Sequence, residues 1–246
     1  MKNINEIVSK LLIDSSDNSE IVYDQQSKNF KSQNKVFSKK ENITDFFCEE
    51  KNSDHVTSKQ KNFYEDVMFP NYDGLETYGD LLDKSNKQSH LAAILDRNIK
   101  HSSSILEVGC GTGQLSLFLK RYNRIIFGID LSIPSLKLAE NFRLRNDISN
   151  VFFSKMNIFN LQFKDEVFDY VISNGVLHHT YNTEIAFKNI LKPLKKNGYV
   201  IIGLYHKYGR LYTNFRQLVI QNLGENFKFL DKRTIDKNIS EEKRYA

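Results

Sequence analysis

The stretch Ser104-Ile-Leu-Glu-Val-Gly-Cys-Gly-Thr-Gly-Gln114 constrains this chain more than any other, because an apolar run passes straight into glycines spaced two apart. Glycine tolerates positive φ and lets the backbone approach a ligand, so a strand is expected to end here in a tight turn that opens a helix. A second apolar run, Arg124-Ile-Ile-Phe-Gly-Ile-Asp130, then ends in a carboxylate. Asp130 lies 21 positions after Gly109 (130 − 109), about where a nucleotide-binding βαβ unit puts the acid that holds the ribose hydroxyls. Strand, glycine turn, helix, strand and acid, in that order, point to an adenosyl ligand.

The glycine spacing bears on which adenosyl ligand. A dinucleotide fingerprint reads G-x-G-x-x-G, and position 114, where its third glycine belongs, is Gln. The chain instead has Gly109, Gly111 and Gly113, with an acid, Glu107, two places before the first. This E-x-G-x-G-x-G arrangement resembles motif I of the class I S-adenosylmethionine-dependent methyltransferases. That ligand has no pyrophosphate; it carries a carboxylate, an ammonium and a sulfonium, and an acid beside the turn suits a cation. A nicotinamide-dependent dehydrogenase and a turn that binds nothing stay open as alternatives.

After the motif, apolar runs and helical patterns alternate. Strands are expected at 105–108, 125–130, 151–155, 168–173 and 199–205, and helices at 114–122, 134–146 and from Asn182/Thr183 to Leu194, stopping at Lys195-Lys-Asn-Gly198. Strands alternating with helices build a parallel sheet covered on both faces. The expected class is α/β: a doubly wound, Rossmann-like, mostly parallel sheet with helices on both faces.

Phe168-Asp-Tyr-Val-Ile-Ser-Asn-Gly-Val-Leu-His-His-Thr180 looks like the fourth-strand motif of those methyltransferases, and Leu191-Lys-Pro-Leu-Lys-Lys-Asn-Gly-Tyr-Val-Ile-Ile202 like their fifth-strand turn. Together they are similar to the group that includes the ubiquinone/menaquinone-biosynthesis methyltransferases, over about residues 85–205. The resemblance implies an enzyme that uses S-adenosyl-L-methionine, with the turn Gly109, Cys110, Gly111, Thr112 and Gly113 around the methionine end and Glu107 holding its ammonium. It implies Asp130 on the ribose hydroxyls and Leu131, with Ile129, against the adenine. Asn157 and Ile158 follow the third strand on the adenine side, and Asn174 lies near the sulfonium. Methyl transfer is an in-line displacement in which the enzyme mainly positions donor and acceptor. A base is needed only where the acceptor holds a proton, and His178 or His179 suits that near neutral pH. Adjacent side chains are expected to diverge, so one of the two would face the acceptor. His206 is a further candidate.

Bases of DNA are gripped in some methyltransferases by an Asn/Asp-Pro-Pro-aromatic element after the fourth strand; this chain has Asn174-Gly-Val-Leu, which argues for a small-molecule acceptor. The net charge of +5 is concentrated from His206 onward, where nine Lys/Arg face five Asp/Glu (9 − 5 = +4), without the aromatic interleaving of a specific nucleic-acid site. Two cysteines, Cys48 and Cys110, make neither a disulfide framework nor a metal site, and with no apolar run long enough to span a bilayer they suit a cytoplasmic protein. A non-catalytic cofactor- or partner-binding relative of the enzymes is the other function class that fits.

The first sixty residues are polar and rich in Lys, Asn and Ser, with short apolar alternations at 21–23 and 35–37. Their order resembles the small zinc-ribbon module in front of some methyltransferases, with every metal-binding cysteine absent; a metal-free β unit and a disordered leader both fit. Residues 61–84, dense in aromatics, read as a lid or linker before a cofactor-binding domain at 85–246. Leu211–Leu223 and the stretch from Asn238 read as helices. Two strands that such enzymes add after the fifth are not legible, so the chain is expected to be a fragment of a longer protein.

Overall fold

A computed structural model describes residues 4–48, 72, 74–206, 208–213, 215 and 218. Residues 63–71 and 73 of the aromatic stretch, much of the helix expected at 211–223, and the stretch from Asn238 lie outside the described residues. The chain divides into two units, Met1–Leu204 and Tyr205–Ala246. In the second, residues 211–213, 215 and 218 have helical backbone.

The first unit begins with α1 (Ile4–Ser9) and five short strands: β1 (Val22–Asp24), β2 (Asn29–Lys31), β3 (Val36–Phe37), β4 (Lys39–Lys40) and β5 (Ile43–Asp45). Helices α2 (Tyr78–Gln88) and α3 (His90–Asn98) follow. The alternating part runs β6 (Ser104–Val108), α4 (Gln114–Leu119), β7 (Ile125–Asp130), α5 (Ile133–Arg145), β8 (Val151–Lys155), β9 (Phe168–Asn174), a 3₁₀ turn (Leu177–His179), α6 (Thr183–Leu191) and β10 (Leu194–Gly203). Helix starts obey side-chain capping: Thr77 and Asp80 form a reciprocal capping box on α2, and Ser89, Ser132 and Asn182 cap α3, α5 and α6.

Seven strands form one sheet in the order β10-β9-β6-β7-β8-β5-β4, parallel from β10 to β5, with β4 antiparallel to β5 at the far edge. The order reverses at β6: the chain moves outward through β7 and β8, then returns to place β9 on the other side. Ligands of open α/β sheets bind at the carboxyl ends of the strands flanking such a reversal, here β6 and β9.

The period-2 alternation of the strands feeds two cores. Ile105, Ile126, Val151, Phe153 and Ile172 face α2–α5, packing on Leu81, Leu95, Phe118, Leu136 and Phe142. Leu106, Val108, Phe127, Ile129, Phe152 and Val171 face the other way. On that side no helix lies between β8 and β9. The face is covered by α6, through Ala186 and Ile190, and by the amino-terminal residues Val8, Leu12, Ile21, Phe30, Phe37 and Phe46. Residues 22–37 form a separate antiparallel sheet, β1-β2-β3. β5 joins the main sheet directly, with Thr44 opposite Ser154 and Asp45 opposite Lys155.

Several expected boundaries are corrected: the helix expected at 114–122 stops at Leu119, and the strand expected at 199–205 stops at Gly203. The last helix ends at Leu191 rather than Leu194, and the strand after it starts at Leu194 rather than Tyr199. Pro193 is the reason, since proline disfavours a helical residue before it and cannot extend the helix hydrogen bonding. Its carbonyl instead accepts from the Val167 and Phe168 amides, both at 2.9 Å. Leu194 is already paired with Phe168, and a register shift separates it from the regular ladder that begins at Tyr199.

At the amino edge of the sheet Arg124 is wholly buried. Its guanidinium donates to the Asp96 carboxylate at 2.6 Å and to the carbonyls of Asp96, Ile99 and Leu119, while its Nε reaches Lys100. It thereby closes the carboxyl ends of α3 and α4, whose last carbonyls have no partner within the helix. Arg121 shares Asp96 at 2.8 Å. Asp96→Ala leaves Arg124 buried without a counter-ion, and such losses cost about 3–5 kcal/mol. The expected result is a clear fall in the urea midpoint at an unchanged slope; a midpoint within error of the parent would refute this role. Among the described residues no helix is long and apolar enough to cross a membrane.

Candidate active site

The turn after β6 has the backbone that its glycines predict. Gly109, Gly111 and Gly113 have φ of +73°, +53° and +73°, the left-handed region that costs other residues. Space is equally restrictive at two of them. A Cβ on Gly109 would lie 2.2 Å from a Val176 methyl carbon, and one on Gly113 would lie 2.6 Å from the Phe153 ring and 2.8 Å from Ala139. The turn is therefore pressed between the loop after β9 and the β8–α5 layer.

Its amides are directed inward. Gly109 and Cys110 donate to the Ile129 carbonyl at 2.8 and 3.0 Å, Gly113 to the Cys110 carbonyl at 2.8 Å, and Gly111 to Asp130 Oδ2 at 2.8 Å. A pyrophosphate would need these N–H groups for itself. The Cys110 thiol is buried and pushed well up by that burial, which keeps it protonated and unreactive.

Two carboxyl groups border the turn. Glu107, on β6, is buried, and Ser116 of α4 donates its hydroxyl to Oε2. Burial pushes Glu107 up to about 7, against the lowering pull of Ser116 and with a smaller raising contribution from the Asp130 charge. Asp130, at the end of β7, is braced by the amides of Gly111 on Oδ2 and Ser132 on Oδ1, the latter at 2.9 Å. The side chain keeps some exposure, yet the surrounding protein strips enough water to push it above the ordinary range, outweighing the Ser132, Gly111 and Leu131 N–H groups. A carboxylate offers about four lone-pair sites, so the group keeps capacity for a further donor.

Leu131 is half-buried beside it, and Asn157 and Ile158 are buried after β8. The Asn157 side-chain oxygen accepts from the Phe159 amide at 3.0 Å, leaving it one lone pair. Asn174 ends β9, its side chain lying over Gly203 so closely that a Cβ there would be 1.9 Å from Oδ1. His178 and His179 form the 3₁₀ turn just beyond, both half-buried. Their rings are 4.1 Å apart and tilted by 51°, so they do not diverge as an extended segment would require; the tight turn keeps both on one side. His206 falls in the second unit, where its Nδ1 accepts from the Gly209 amide at 3.2 Å.

Three residues with a structural hold on the site were not legible as site residues, Ser116, Phe153 and Val176, whereas Tyr72 belongs to the aromatic stretch read as a lid or linker. A wide cavity of about 1110 Å³, lined by residues that include Ser16, Asn34, Lys35, Phe37, Cys48 and Asn160, contains none of the turn or its carboxylates and is not the site described here.

Comparison with known proteins shows the family. Residues 99–245 match the family model of a methyltransferase domain. The chain is 32% identical to phosphoethanolamine N-methyltransferase 2 of Caenorhabditis elegans over 126 residues, 50% of this chain and 29% of that protein. It is 30% identical to an uncharacterized protein of Methanocaldococcus jannaschii over 186 residues, 69% of this chain and 67% of that one. It is 27% identical to a ubiquinone biosynthesis O-methyltransferase of Rickettsia akari over 109 residues, 44% of this chain and 43% of that enzyme. The chain thus spans less than half the length of the two relatives with a named activity. The reversal of strand order, the inward-facing glycine turn and the family match over more than half the chain lead to one conclusion: this chain belongs to the methyltransferase domain family.

Proposed function

We propose that this chain is a cytoplasmic S-adenosyl-L-methionine-dependent methyltransferase acting on a small-molecule acceptor. The observation that carries the proposal is the pair of carboxyl groups, Glu107 and Asp130, on either side of a glycine turn whose amides are engaged within the protein. Such a pocket favours a ligand with a cation and vicinal hydroxyls and disfavours a diphosphate, which would meet two negative groups and few free donors. That sets the dehydrogenase reading aside.

When bound, S-adenosylmethionine supplies a methyl carbon already activated by its sulfonium. The protein's work is placement. Glu107 would hold the ammonium, Asp130 the ribose hydroxyls, and Leu131, Ile158 and Asn157 the adenine side. Asn174, at the end of β9, would border the methyl-bearing end, and the turn Gly109–Gly113 would close round the methionine portion. Where the acceptor holds a proton, His178 or His179 would take it. The two relatives with a named activity carry N-methyltransferase and O-methyltransferase in their names, which supports a shared donor half with differing acceptors.

Calorimetric titration of the purified chain with S-adenosylmethionine, and with its demethylated product, tests this. Micromolar binding is expected, and Asp130→Ala should weaken it about thirtyfold, the worth of one to two hydrogen bonds to a charged group. Absence of binding by a folded chain, or parent-like affinity in the variant, would overturn the donor site.

A further inference from the structure

We infer that Tyr72, outside the strand–helix repeat, is a positioning residue for the donor site: its phenol holds the glycine turn in the shape that receives the ligand. This rests on the methyltransferase reading above. The Tyr72 hydroxyl donates to the Thr112 carbonyl at 2.7 Å, across 40 residues of sequence. Thr112 lies between Gly111 and Gly113, the most permissive backbone of the site, both at positive φ. Chain flanked by glycines on both sides has little of its own to hold its peptide planes.

The other amides and carbonyls of the turn show what the phenol adds. Gly109 and Cys110 are tied to β7 through the Ile129 carbonyl, Gly111 to Asp130, and Gly113 back to Cys110. Those bonds come from within the βαβ unit. Tyr72 supplies a tie from outside it, on the peptide joining Thr112 to Gly113, where the turn becomes α4. Rotation of that peptide would move Gly113, whose amide and carbonyl begin the helix, and with it Ser116, the donor to Glu107.

The ring is held as firmly as the hydroxyl. Tyr72 packs on Phe142 of α5 with ring centroids 4.9 Å apart, within the core that α2–α5 share. Burial raises its phenol far above the ordinary range, and the nearby Cys110 and Glu107 raise it further, so it stays a neutral donor at any working pH. Tyr78, the next aromatic, does something different: its ring faces the Lys120 ammonium at 4.2 Å, at the far end of α4.

The test is Tyr72→Phe, which removes the hydroxyl and keeps the ring on Phe142. Two readouts are taken on parent and variant: amide hydrogen exchange of residues 109–117 without ligand, and S-adenosylmethionine affinity by calorimetry. Exchange about tenfold faster in that segment alone, a five- to tenfold weaker affinity, and a thermal midpoint close to the parent are expected. In turnover with any accepted substrate, KM for the donor should rise with kcat little changed. Unchanged exchange would overturn the bracing role, and faster exchange with parent affinity would overturn its importance for the ligand. If the parent itself does not bind S-adenosylmethionine, the methyltransferase reading fails, and exchange still decides whether the phenol holds the turn.

Discussion

Deleting residues 1–48 should leave the rest of the chain unable to fold. The reason is the sheet face lined by Leu106, Val108, Phe127, Ile129, Phe152 and Val171, for which the alternating part of the chain supplies one helix, α6, and no helix between β8 and β9. Val8, Leu12, Ile21, Phe30, Phe37 and Phe46 cover the remainder. Phe30 is the centre of this cover, wholly buried, with Tyr23, Phe46 and Phe152 at ring separations of 5.1, 5.3 and 5.7 Å. The deletion would also strip β5 from β8 and expose a parallel edge. Insoluble or molten product is expected on expression, judged by circular dichroism and dye binding; a soluble, cooperatively melting remnant would refute the account. Phe30→Ala is the milder form of the same experiment and should cost about 3–5 kcal/mol in chemical denaturation.

The second large effect is a dependence of donor affinity on pH set by Glu107. Only the ionised carboxylate attracts an ammonium, and Glu107 titrates near 7 in the ligand-free protein. Below that pH, affinity should fall by close to one decade per unit, reaching about seventyfold between pH 7.5 and 5. Stability of the ligand-free protein should move the opposite way. Because the folded value is raised above the ordinary 4.5, the folded state keeps a proton that the unfolded chain has lost. The associated stabilisation is present below 4.5 and disappears as pH rises through 7, about 2 kcal/mol between pH 5.5 and 8. Asp130 is also raised, so Glu107→Gln separates the two: calorimetry across pH should give a weaker and much flatter profile in the variant. A parent profile that is flat from 7.5 to 5 would rule Glu107 out as the ammonium's partner.

The parts of the site that were legible in the sequence share a cause. Gly109, Gly111, Gly113, Glu107 and Asp130 belong to one continuous βαβ unit, where spacing along the chain converts directly into position. The succession of the five strands from β6 to β10 along the chain was legible through their unbroken apolar runs. What escaped depends on contacts between distant segments. The 44–154 pairing cannot be read from Ile43-Thr-Asp45, three residues with no strong pattern, nor can the seating of Tyr72 on Thr112. The boundary at Pro193 was missed because the helical pattern of Ile185–Leu191 was carried past a residue that forbids it. Proline at 193 outweighs the helical periodicity before it.

The β5–β8 pairing also has a consequence for the order of events in synthesis. Thr44 leaves the ribosome 110 residues before Ser154 (154 − 44), and Leu12 is made 151 residues before Phe163, its bridge partner (163 − 12). At 5–20 residues per second, roughly five to thirty seconds pass before those partners exist. Throughout that interval Phe30, Phe37 and Phe46 have no sheet to cover. A segment made well before its partners is thus among the last to find its place, and contacts of such long sequence separation are the slow ones to form. Refolding should therefore end with the docking of residues 4–48, leaving Phe30, Phe37 and Phe46 the side chains most in need of a chaperone's protection during synthesis.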